Sequence, residues 1–307
     1  MDLSIIVVNY NGEGYIQQCT DSIKRLGCGL SWEAIIVDNG STDGSLEHIR
    51  AFEGSRGSFK VIENEKNMGF AYAANMGADR ARGRFLLFLN PDTRIVDTNI
   101  FKLMDFYYQK ARNMKVGAIG VKLTYPDGSL QHNARSFPTL ARQFYESYFL
   151  YRVKGIHFLS SYFLSWWDHG SIRRVDWLSG AFLFMHRDAF FDAGGFDQRY
   201  FMYSEDADLC LTLSGMGYHN FYFPFFTARH ADGAIASRDM GTRLSQVWAS
   251  RTAYFNKHFG RFHAKVASLL YFLGMVNRMM LYAAAGKKDK ASYHLGALRK
   301  YFKRHGR

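Results

Sequence analysis

The sequence has little proline and cysteine, and these shortages exclude several classes of protein. Its 307 residues include only 4 prolines, with 48% hydrophobic and 21% charged residues, which is a globular composition. Cys19, Cys28 and Cys210 have no metal-ligand spacing, and so few thiols indicate a reducing compartment. We find no signal-peptide pattern after Met1, so we expect no secretory leader. The sequence also has no repeat and no low-complexity segment.

Positive charge and aromatic residues are abundant. The net charge is +12 and the aromatic content is 17%. Such a charge indicates an anionic partner, namely nucleotide phosphates, a membrane surface or nucleic acid. No nucleic-acid motif is present, and we expect no nucleic-acid partner. Much of the excess of Lys and Arg over Asp and Glu lies in the last 50 residues, so a basic tail explains part of the net charge.

Segments typical of strands alternate with segments typical of helices through the first 125 residues. The predicted strands are 4–10, 34–38, 59–63, 85–89 and 116–123, and the predicted helices are 15–26, 46–52, 70–82 and 97–112. This alternation indicates βαβ units and a mostly parallel sheet, so the predicted fold class is α/β.

The stretch RFLLFLNPDTR, residues 84–94, predicts a buried strand that stops abruptly. Pro91 lacks a backbone donor and cannot continue a central strand, so the chain leaves the sheet and presents Asp92 at the carboxyl end of the strand. Ligands bind at that edge of open α/β sheets. An acid there can hold a divalent cation that bridges phosphate oxygens, although a plain turn is the alternative.

Two further acids follow the second predicted strand. Asp38 and Asp43 lie in a loop rich in turn formers, at the same predicted edge as Asp92. Asp38 could accept the ring N–H of a pyrimidine base, and its alternative role is that of a turn or capping acid. Asp43 is the better candidate for a cap.

These motifs together resemble family-2 glycosyltransferases of the GT-A fold, particularly the bacterial rhamnosyltransferase-like branch. The matching stretches are SIIVVNYNG, IIVDNGSTDGS, NMGFAYAANMG, FLLFLNPDT, WLSGAFLFMHR and GGFDQRYFMYSEDADLCLTL. They cover residues 3–125 and 175–235 in order. The resemblance implies a Rossmann-like nucleotide-binding mixed sheet flanked by helices, with a helical, basic C-terminal extension added in this chain.

The resemblance also implies catalytic and metal-binding roles. Asp206 would be the general base, and Glu205 would orient the acceptor or the base. Asp92 and His230 would hold Mg²⁺ or Mn²⁺ on the donor diphosphate, with Asn90 where relatives carry a first acid. From the residues alone, the acids from 205 to 208 equally fit the acidic first turn of a helix, and His230 equally fits a structural histidine. Thr212 departs from the arginine that relatives carry near this position.

Nucleotide-sugar contacts are expected at several polar positions of these motifs. The candidate donor-binding residues are Asn9, Asn11, Asp38, Asn67, Gly69, Asn75, Asn90 and Arg251. For Arg251, a solvated helix face is the alternative to phosphate binding.

The chain is expected to have two domains. A catalytic domain, 1–240, comprises a nucleotide-sugar-binding half, 1–125, an aromatic acceptor-side insert, 126–176, and a catalytic half, 177–240. The insert mixes aromatic and basic residues, which suits a membrane interface or internal packing over the acceptor side. Residues 241–307 form the helical extension.

The extension combines an apolar helix with a basic tail. The apolar run 266–276 is too short to cross a bilayer, and Asn277 and Arg278 interrupt it. The basic residues that follow are Lys287, Lys288, Lys290, Arg299, Lys300, Lys303, Arg304 and Arg307. Peripheral attachment to an anionic leaflet is one interpretation; a homodimer helix and a plain core helix are the others.

The predicted function is that of a metal-dependent, inverting transferase at the cytoplasmic face of the cell membrane, in surface-polysaccharide synthesis. By resemblance alone, the donor is dTDP-L-rhamnose and the acceptor a glycan or lipid-linked glycan. A UDP-hexose donor stays open. A nucleotidyltransferase would have no evident use for Glu205 and Asp206, and a non-catalytic binding module would have no need of Asp92 with Asp206.

Overall fold

The computed structural model describes residues 1–26, 29–52, 58–153, 155–232 and 239–305, so Cys28 and Arg307 lie outside the described residues. The chain divides into two compact units. Unit 1 comprises Met1–Arg135, Asp168–Gln198 and Glu205–Ile235. Unit 2 comprises Ser136–Trp167, Arg199–Ser204 and Ala236–Arg307.

The first half of unit 1 alternates strands and helices, as predicted. Its elements are β1 Leu3–Asn9, α1 Glu13–Lys24, β2 Trp32–Asp38, α2 Ser45–Arg50, β3 Ser58–Glu63, α3 Phe70–Arg80, β4 Phe85–Leu89, β5 Thr93–Ile95, α4 Phe101–Ala111 and β6 Lys115–Thr124. β1 and β4 are buried along their whole length, because strands covered by helices on both faces have no polar side to present.

The second half of unit 1 adds the antiparallel strand β11, the long strand β12 and four very short strands. Its elements are β7 Leu130–Gln131, β8 Ala134–Arg135, β9 Arg173–Val175, β10 Trp177–Leu178, β11 Phe182–His186, α6 Arg187–Asp192, α7 Glu205–Gly215 and β12 Tyr218–His230. The main sheet has the order β3-β2-β1-β4-β11-β6-β12-β5. β1 pairs in parallel with β2 and β4, β2 with β3, and β6 with β12. β11 lies between β4 and β6 and is antiparallel to both, so the sheet is mixed, as the family resemblance implied.

The strand β12 pairs irregularly with β6. It contains Pro224, and its register against β6 shifts between Phe223 and Thr227. Proline cannot donate a ladder hydrogen bond, and it is tolerated in a strand at such an irregularity. β12 resumes after the shift and ends at His230, whose backbone pairs with Thr93 of β5.

Unit 2 is helical. It contains α5 Leu140–Ser147, a single 3-10 turn at Leu150–Arg152, α8 Met240–Ala284 and α9 Lys288–His305. α8 is broken at Gly260, whose φ of 85° is outside the helical range. Trp248 of α8 stacks on Tyr301 of α9 with ring centroids 3.5 Å apart, and Met275 and Ala297 join the same small core. The predicted helical C-terminal extension is confirmed.

The aromatic insert has both buried and exposed rings. Tyr162 and Trp167 are buried, whereas Phe158 and Trp166 are exposed. Among the described helices, α8 alone is long and apolar enough to cross a bilayer by length and composition, and only 17% of its most apolar stretch is buried. The sequence predicts a segment too short to cross a bilayer because its uninterrupted apolar run covers only residues 266–276. The helix that contains this run is much longer.

Candidate functional site

The first two strands end in a buried polar pair. Asn9 and Asp38 are partners in the strand register, and Nδ2 of Asn9 donates to Oδ1 of Asp38 at 2.9 Å. The backbone N–H and hydroxyl of Ser41 also donate to Asp38, at 2.9 and 2.6 Å. Asp38 is thus a turn acid here, and its Oδ2 can still accept one further donor, since a carboxylate oxygen accepts about two. Oδ1 of Asn9 is buried without a hydrogen-bond partner among the described residues.

Asn11 joins the loops that follow β1 and β2. It has a positive φ of 52°, which asparagine tolerates better than most residues. Its backbone N–H donates to Oγ of Ser41 at 3.0 Å, and its Oδ1 accepts the N–H of Thr42 at 2.8 Å. Asp43 accepts the N–H of Glu13 and of Ser45, the first residues of α1 and α2, as expected of a capping acid.

Asn39 organises the loop before α3. Its Nδ2 donates to Oδ1 of Asn67 at 3.0 Å and to the carbonyl of Gly69 at 3.2 Å. Its Oδ1 accepts from Nδ2 of Asn64 and from the N–H of Met68. Gly69 has a φ of 90°, a conformation that residues with a Cβ rarely adopt. Asn67 and Gly69 therefore belong to the structure of the loop beside Asp38, and Asn39 was missed in the sequence.

Asn75 has a structural task that the sequence did not indicate. Its Nδ2 donates to the carbonyl of Phe196 at 2.8 Å, and its Oδ1 accepts the N–H of the same residue at 2.9 Å. Both ends of the amide thus hold the segment after α6. This backbone clamp uses one donor and one acceptor of the Asn75 amide, and a contact with the nucleotide-sugar stays a prediction.

Asp92 and His230 lie side by side at the sheet edge. Nε2 of His230 is 3.2 Å from Oδ1 of Asp92, and both side chains are 7% exposed. Nδ2 of Asn90 lies 3.5 Å from the same nitrogen. The backbone supports this approach, since the N–H of Ala231 donates to the carbonyl of Asp92 at 3.1 Å. Two elements distant in sequence, β12 and the turn after β4, thus converge here.

Gln131 fixes the other ring nitrogen of His230. Oε1 of Gln131 lies 3.0 Å from Nδ1, so this amide oxygen accepts the Nδ1 proton. Nε2 then faces a carboxylate, and a cation between them, either a proton or a metal ion, makes that contact favourable. A histidine whose distal nitrogen is held by an amide oxygen is typical of a metal ligand.

The donor set fits a divalent cation that takes its remaining ligands from substrate. No group of three or more His, Cys, Asp or Glu side chains that could hold a metal ion occurs in the described ranges. Asp92 and His230 supply one oxygen and one nitrogen, which suits Mn²⁺ or Mg²⁺ when diphosphate oxygens and water complete the coordination.

Residues 180 and 181 connect this edge to Asp206. The N–H of Gly180 donates to Oδ2 of Asp206 at 3.0 Å. The carbonyl of the next residue, Ala181, accepts the N–H of Asn90 at 3.2 Å and the hydroxyl of Thr93 at 3.1 Å. Adjacent Cα atoms are about 3.8 Å apart, so Asp206 and the turn that carries Asp92 are fixed to neighbouring points of one backbone.

Glu205 and Asp206, at the start of α7, lie in surroundings that disfavour the ionised carboxylates. Burial raises the pKa of Glu205 well above its ordinary value, and the charge of Asp206 adds to the rise. Burial also raises the pKa of Asp206, against the lowering effects of the Gly180 and Ala207 N–H groups and of Arg135. Asp206 alone of the pair receives these stabilising contacts. The pKa of Glu205 is therefore the more strongly raised of the two.

The backbone before the acid pair is strained. Tyr203 and Ser204 have φ values of 70° and 69°. Each non-glycine residue in this region costs roughly 1–2 kcal/mol, and such strain concentrates at functional sites. This turn directly precedes Glu205 and Asp206, the first two residues of α7.

We expect Glu205→Gln to stabilise the fold at neutral pH. A carboxyl with a raised pKa holds its proton more tightly in the folded than in the unfolded chain. The free energy of unfolding therefore falls as the pH rises from the ordinary value of 4.5 through the folded-state pKa. Glutamine resembles the protonated form and removes that loss. Urea titration should show a stabilised variant near neutral pH and a vanishing difference near pH 4.5.

Glu63→Gln is the control for this prediction. Glu63 is exposed, and its hydrogen bond from Arg50 lowers its pKa, so its substitution should give no gain near neutral pH. An equal effect of Glu205→Gln at both pH values would contradict protonation of Glu205.

Arg251 is buried within unit 2 and does not lie on a solvated helix face. It is 9% exposed, and its Nη2 donates to the hydroxyl of Tyr162 at 2.7 Å. Its Nε and Nη1 have no hydrogen-bond partner among the described residues. The alternative of a solvated face is therefore wrong, and a phosphate contact stays a prediction.

Two residues near the acids were missed in the sequence. Gln131 belongs to β7 and Arg135 to β8, strands of two residues each. Arg135 stacks over Trp177, with its guanidinium carbon 5.2 Å from the ring centroid, and its charge acts on Asp206. Strands of two residues show no periodic pattern in the sequence, so Gln131 and Arg135 can be identified as site residues only from their positions in the fold.

Known proteins resemble this chain over most of its length. Residues 4–165 match the family model for glycosyl transferase family 2. The chain is 28% identical over 288 residues to an N-acetylglucosaminyl-diphospho-decaprenol L-rhamnosyltransferase of Mycobacterium tuberculosis strain H37Rv, covering 85% of this chain and 87% of that protein.

Two solved structures share the fold. TarS 1–349 of S. aureus superposes with a TM-score of 0.54 at 15% identity, covering 100% of this chain and 92% of that one. The mannosyltransferase PcManGT of Pyrobaculum calidifontis, in complex with GDP-Man and Mn²⁺, superposes with a TM-score of 0.54 at 16% identity, covering 98% and 86%. The GT-A fold expected from the sequence is confirmed. The chain belongs to glycosyl transferase family 2, in which it resembles the rhamnosyltransferases.

Proposed function

We propose that this glycosyltransferase moves L-rhamnose from dTDP-L-rhamnose to a lipid-linked glycan, with inversion at the anomeric carbon. The donor sugar and the acceptor class are supported by the name of the mycobacterial relative, an N-acetylglucosaminyl-diphospho-decaprenol L-rhamnosyltransferase. The corresponding acceptor here is a GlcNAc-diphospho-polyprenol. Surface-polysaccharide synthesis is the process that consumes such a product.

One structural observation carries the mechanism. Gly180 holds Asp206, while the adjacent Ala181 holds the turn with Asn90 and Asp92. A transferase needs a base on the acceptor side and cationic stabilisation of the leaving diphosphate within the span of one sugar. Anchoring both at consecutive backbone positions keeps that span fixed, and rigid positioning is a large part of catalysis.

The reaction follows from these groups. Asp206 accepts the proton of the acceptor hydroxyl as the hydroxyl oxygen bonds to the anomeric carbon. The bond from that carbon to the diphosphate oxygen breaks, and the nucleoside diphosphate leaves with the electron pair. Displacement from the opposite face inverts the configuration and needs no covalent nucleophile. Glu205, protonated beside Asp206, adds no second negative charge near the base.

Asp92 and His230 are the proposed ligands of a divalent cation, Mg²⁺ or Mn²⁺. When bound, this ion would stabilise the negative charge of the leaving diphosphate. Asn9, Asn11 and Asp38 are the proposed contacts for the base and ribose of the donor, because Asp38 and the orphaned Oδ1 of Asn9 offer acceptors at the same edge.

A donor and acceptor assay tests the function. The protein is mixed with dTDP-L-rhamnose, UDP-glucose or GDP-mannose and a GlcNAc-diphospho-polyprenol, and the product is followed by mass spectrometry. We expect transfer from dTDP-L-rhamnose. Transfer from UDP-glucose would replace the donor but keep the mechanism. Nucleotide-sugar binding without turnover on this acceptor would contradict the proposed acceptor.

We expect Gln131→Leu to weaken Mn²⁺ binding. Leucine cannot accept the Nδ1 proton of His230, so the imidazole loses its fixed tautomer and orientation. Loss of such an outer contact typically weakens metal affinity by about 10- to 100-fold. Titration of the protein into Mn²⁺ with detection of the free ion by electron paramagnetic resonance measures this without any turnover.

Gln131→Glu is the matched control, because a carboxylate accepts the same proton. It should bind Mn²⁺ at least as well as the native protein. Equal affinity of the Leu and native proteins would show that Gln131 merely fills space.

A further inference from the structure

One face of α8 exposes a line of large apolar side chains. Phe262, Leu269, Leu273 and Met280 are 73%, 55%, 41% and 57% exposed. Their spacings of seven, four and seven residues return to the same side of a helix with 3.6 residues per turn. We call these four residues the α8 stripe. Large apolar side chains exposed along one face of a helix are typical of a binding surface.

The opposite faces of the same helix are covered within unit 2. Nε of Arg278 donates to the carbonyl of Ser147 at 3.1 Å, and Nη2 donates to the carbonyl of Glu146, both in α5. Met275 packs with Ala297 of α9, and Tyr282 stacks on His294 with centroids 5.7 Å apart. The α8 stripe is the side that neither α5 nor α9 reaches.

The segment that carries the α8 stripe is strongly basic. Residues 240–307 contain fourteen Lys and Arg against a single acid, Asp289. The whole chain has 39 basic and 27 acidic residues, so this segment accounts for the entire positive balance. Arg261, which precedes Phe262, and Lys265, about one turn after it, are exposed. Lys287, Lys288 and Lys290 are exposed where α8 ends.

The exposure of the α8 stripe and the basic residues near it favour one kind of partner over the others. The like charges of the exposed Lys and Arg side chains oppose the pairing of two such faces, whereas an anionic surface gains about 1 kcal/mol for each basic residue near it. A crossing helix would have to place Arg278 in hydrocarbon and give up its two bonds to α5. An apolar stripe flanked by Lys and Arg is instead typical of a helix lying in the headgroup region.

We propose that the α8 stripe inserts into the surface of a bilayer containing anionic phospholipids, with α8 lying parallel to that surface. The stripe supplies apolar burial, and the basic residues of α8 and α9 contact the lipid phosphates. The inference from charge and exposure is independent of the donor. The reason for such a contact, access to a polyprenyl acceptor, rests on the proposed function.

Vesicle sedimentation tests the proposal with the full chain. The probes are vesicles of phosphatidylcholine alone and of equal parts phosphatidylcholine and phosphatidylglycerol. We expect binding to the anionic vesicles that weakens with salt, and a loss of about tenfold or more for the double variant Leu269→Glu/Leu273→Glu. Leu269→Trp should show a blue-shifted fluorescence when these vesicles are added.

Phe262→Ser and Phe225→Ser are a matched pair. Phe225 is 58% exposed on β12 in unit 1, so its substitution should leave vesicle binding unchanged, while Phe262→Ser weakens it. Undiminished binding by the folded double variant would overturn the proposal. So would a native dimer that the double variant converts to monomers, because a second copy would then cover the stripe. If anionic vesicles bind but no transfer occurs, the proposed acceptor fails and the membrane surface stands.

Discussion

Asp206→Asn should lower kcat by about a thousandfold while leaving the affinity for the donor unchanged. The amide keeps the shape of the carboxylate and can still accept the Gly180 N–H through its oxygen. It cannot accept the proton of the acceptor hydroxyl. The measurement is kcat by product formation, together with donor Kd by calorimetry. Separating the two parameters distinguishes a base from a residue that binds substrate.

Asp192→Asn is the control for this experiment. Asp192 is an exposed acid of unit 1 that accepts a hydrogen bond from Tyr218 at 2.9 Å, and its substitution should leave kcat unchanged. The pH dependence adds a second readout. Because burial raises the pKa of Asp206, the native kcat should fall on the acid side at a higher pH than an ordinary aspartate gives. A kcat that Asp206→Asn lowers less than tenfold would assign the base to another group.

Asp92→Ala should weaken donor binding by about a hundredfold in the presence of Mn²⁺ and leave it unchanged in chelator. Asp92 is the charged oxygen ligand of the proposed site, and its loss leaves His230 alone among the protein ligands named here. Calorimetry with dTDP-L-rhamnose under both conditions measures the difference. The comparison with chelator isolates the metal from any direct effect on the nucleotide.

Asp97→Ala is the matched control, since Asp97 follows β5, the next strand in the sequence, and pairs with Lys102 at 2.6 Å. It should bind the donor normally with and without Mn²⁺. His230→Ala should behave as Asp92→Ala does. Weakening of donor binding by Asp92→Ala in chelator as well would mean that Asp92 contacts the donor directly.

The sequence predicted the first half of the sheet well because its signals are local. β4 is found at residues 85–89 as expected, and β1, β2 and β6 are displaced by only one or two residues at their ends. Each is a short apolar run closed by turn formers, and such runs form buried strands in almost any α/β setting. The sequence alone therefore predicts Asp38 and Asp92 at one edge of the sheet.

The second half of the sheet gave weaker signals. β11 lies in WLSGAFLFMHR, which the family resemblance identified, but its insertion between β4 and β6 is a matter of strand order. Strand order depends on which distant segments pair, and no local pattern encodes it. β12 contains Pro224, which argues against a strand until the irregularity in its pairing is known.

By itself, the sequence determined the family, the strand-end acids, the pair Glu205 and Asp206, and the basic helical extension, because each is a property of contiguous residues. Only the tertiary structure decided which groups meet. Gln131 reaches His230 across 99 positions, and Asn75 clamps Phe196 across 121. It also decided which face of α8 remains uncovered. Such contacts are set by long-range packing, whose free energy depends on the whole fold rather than on neighbouring residues.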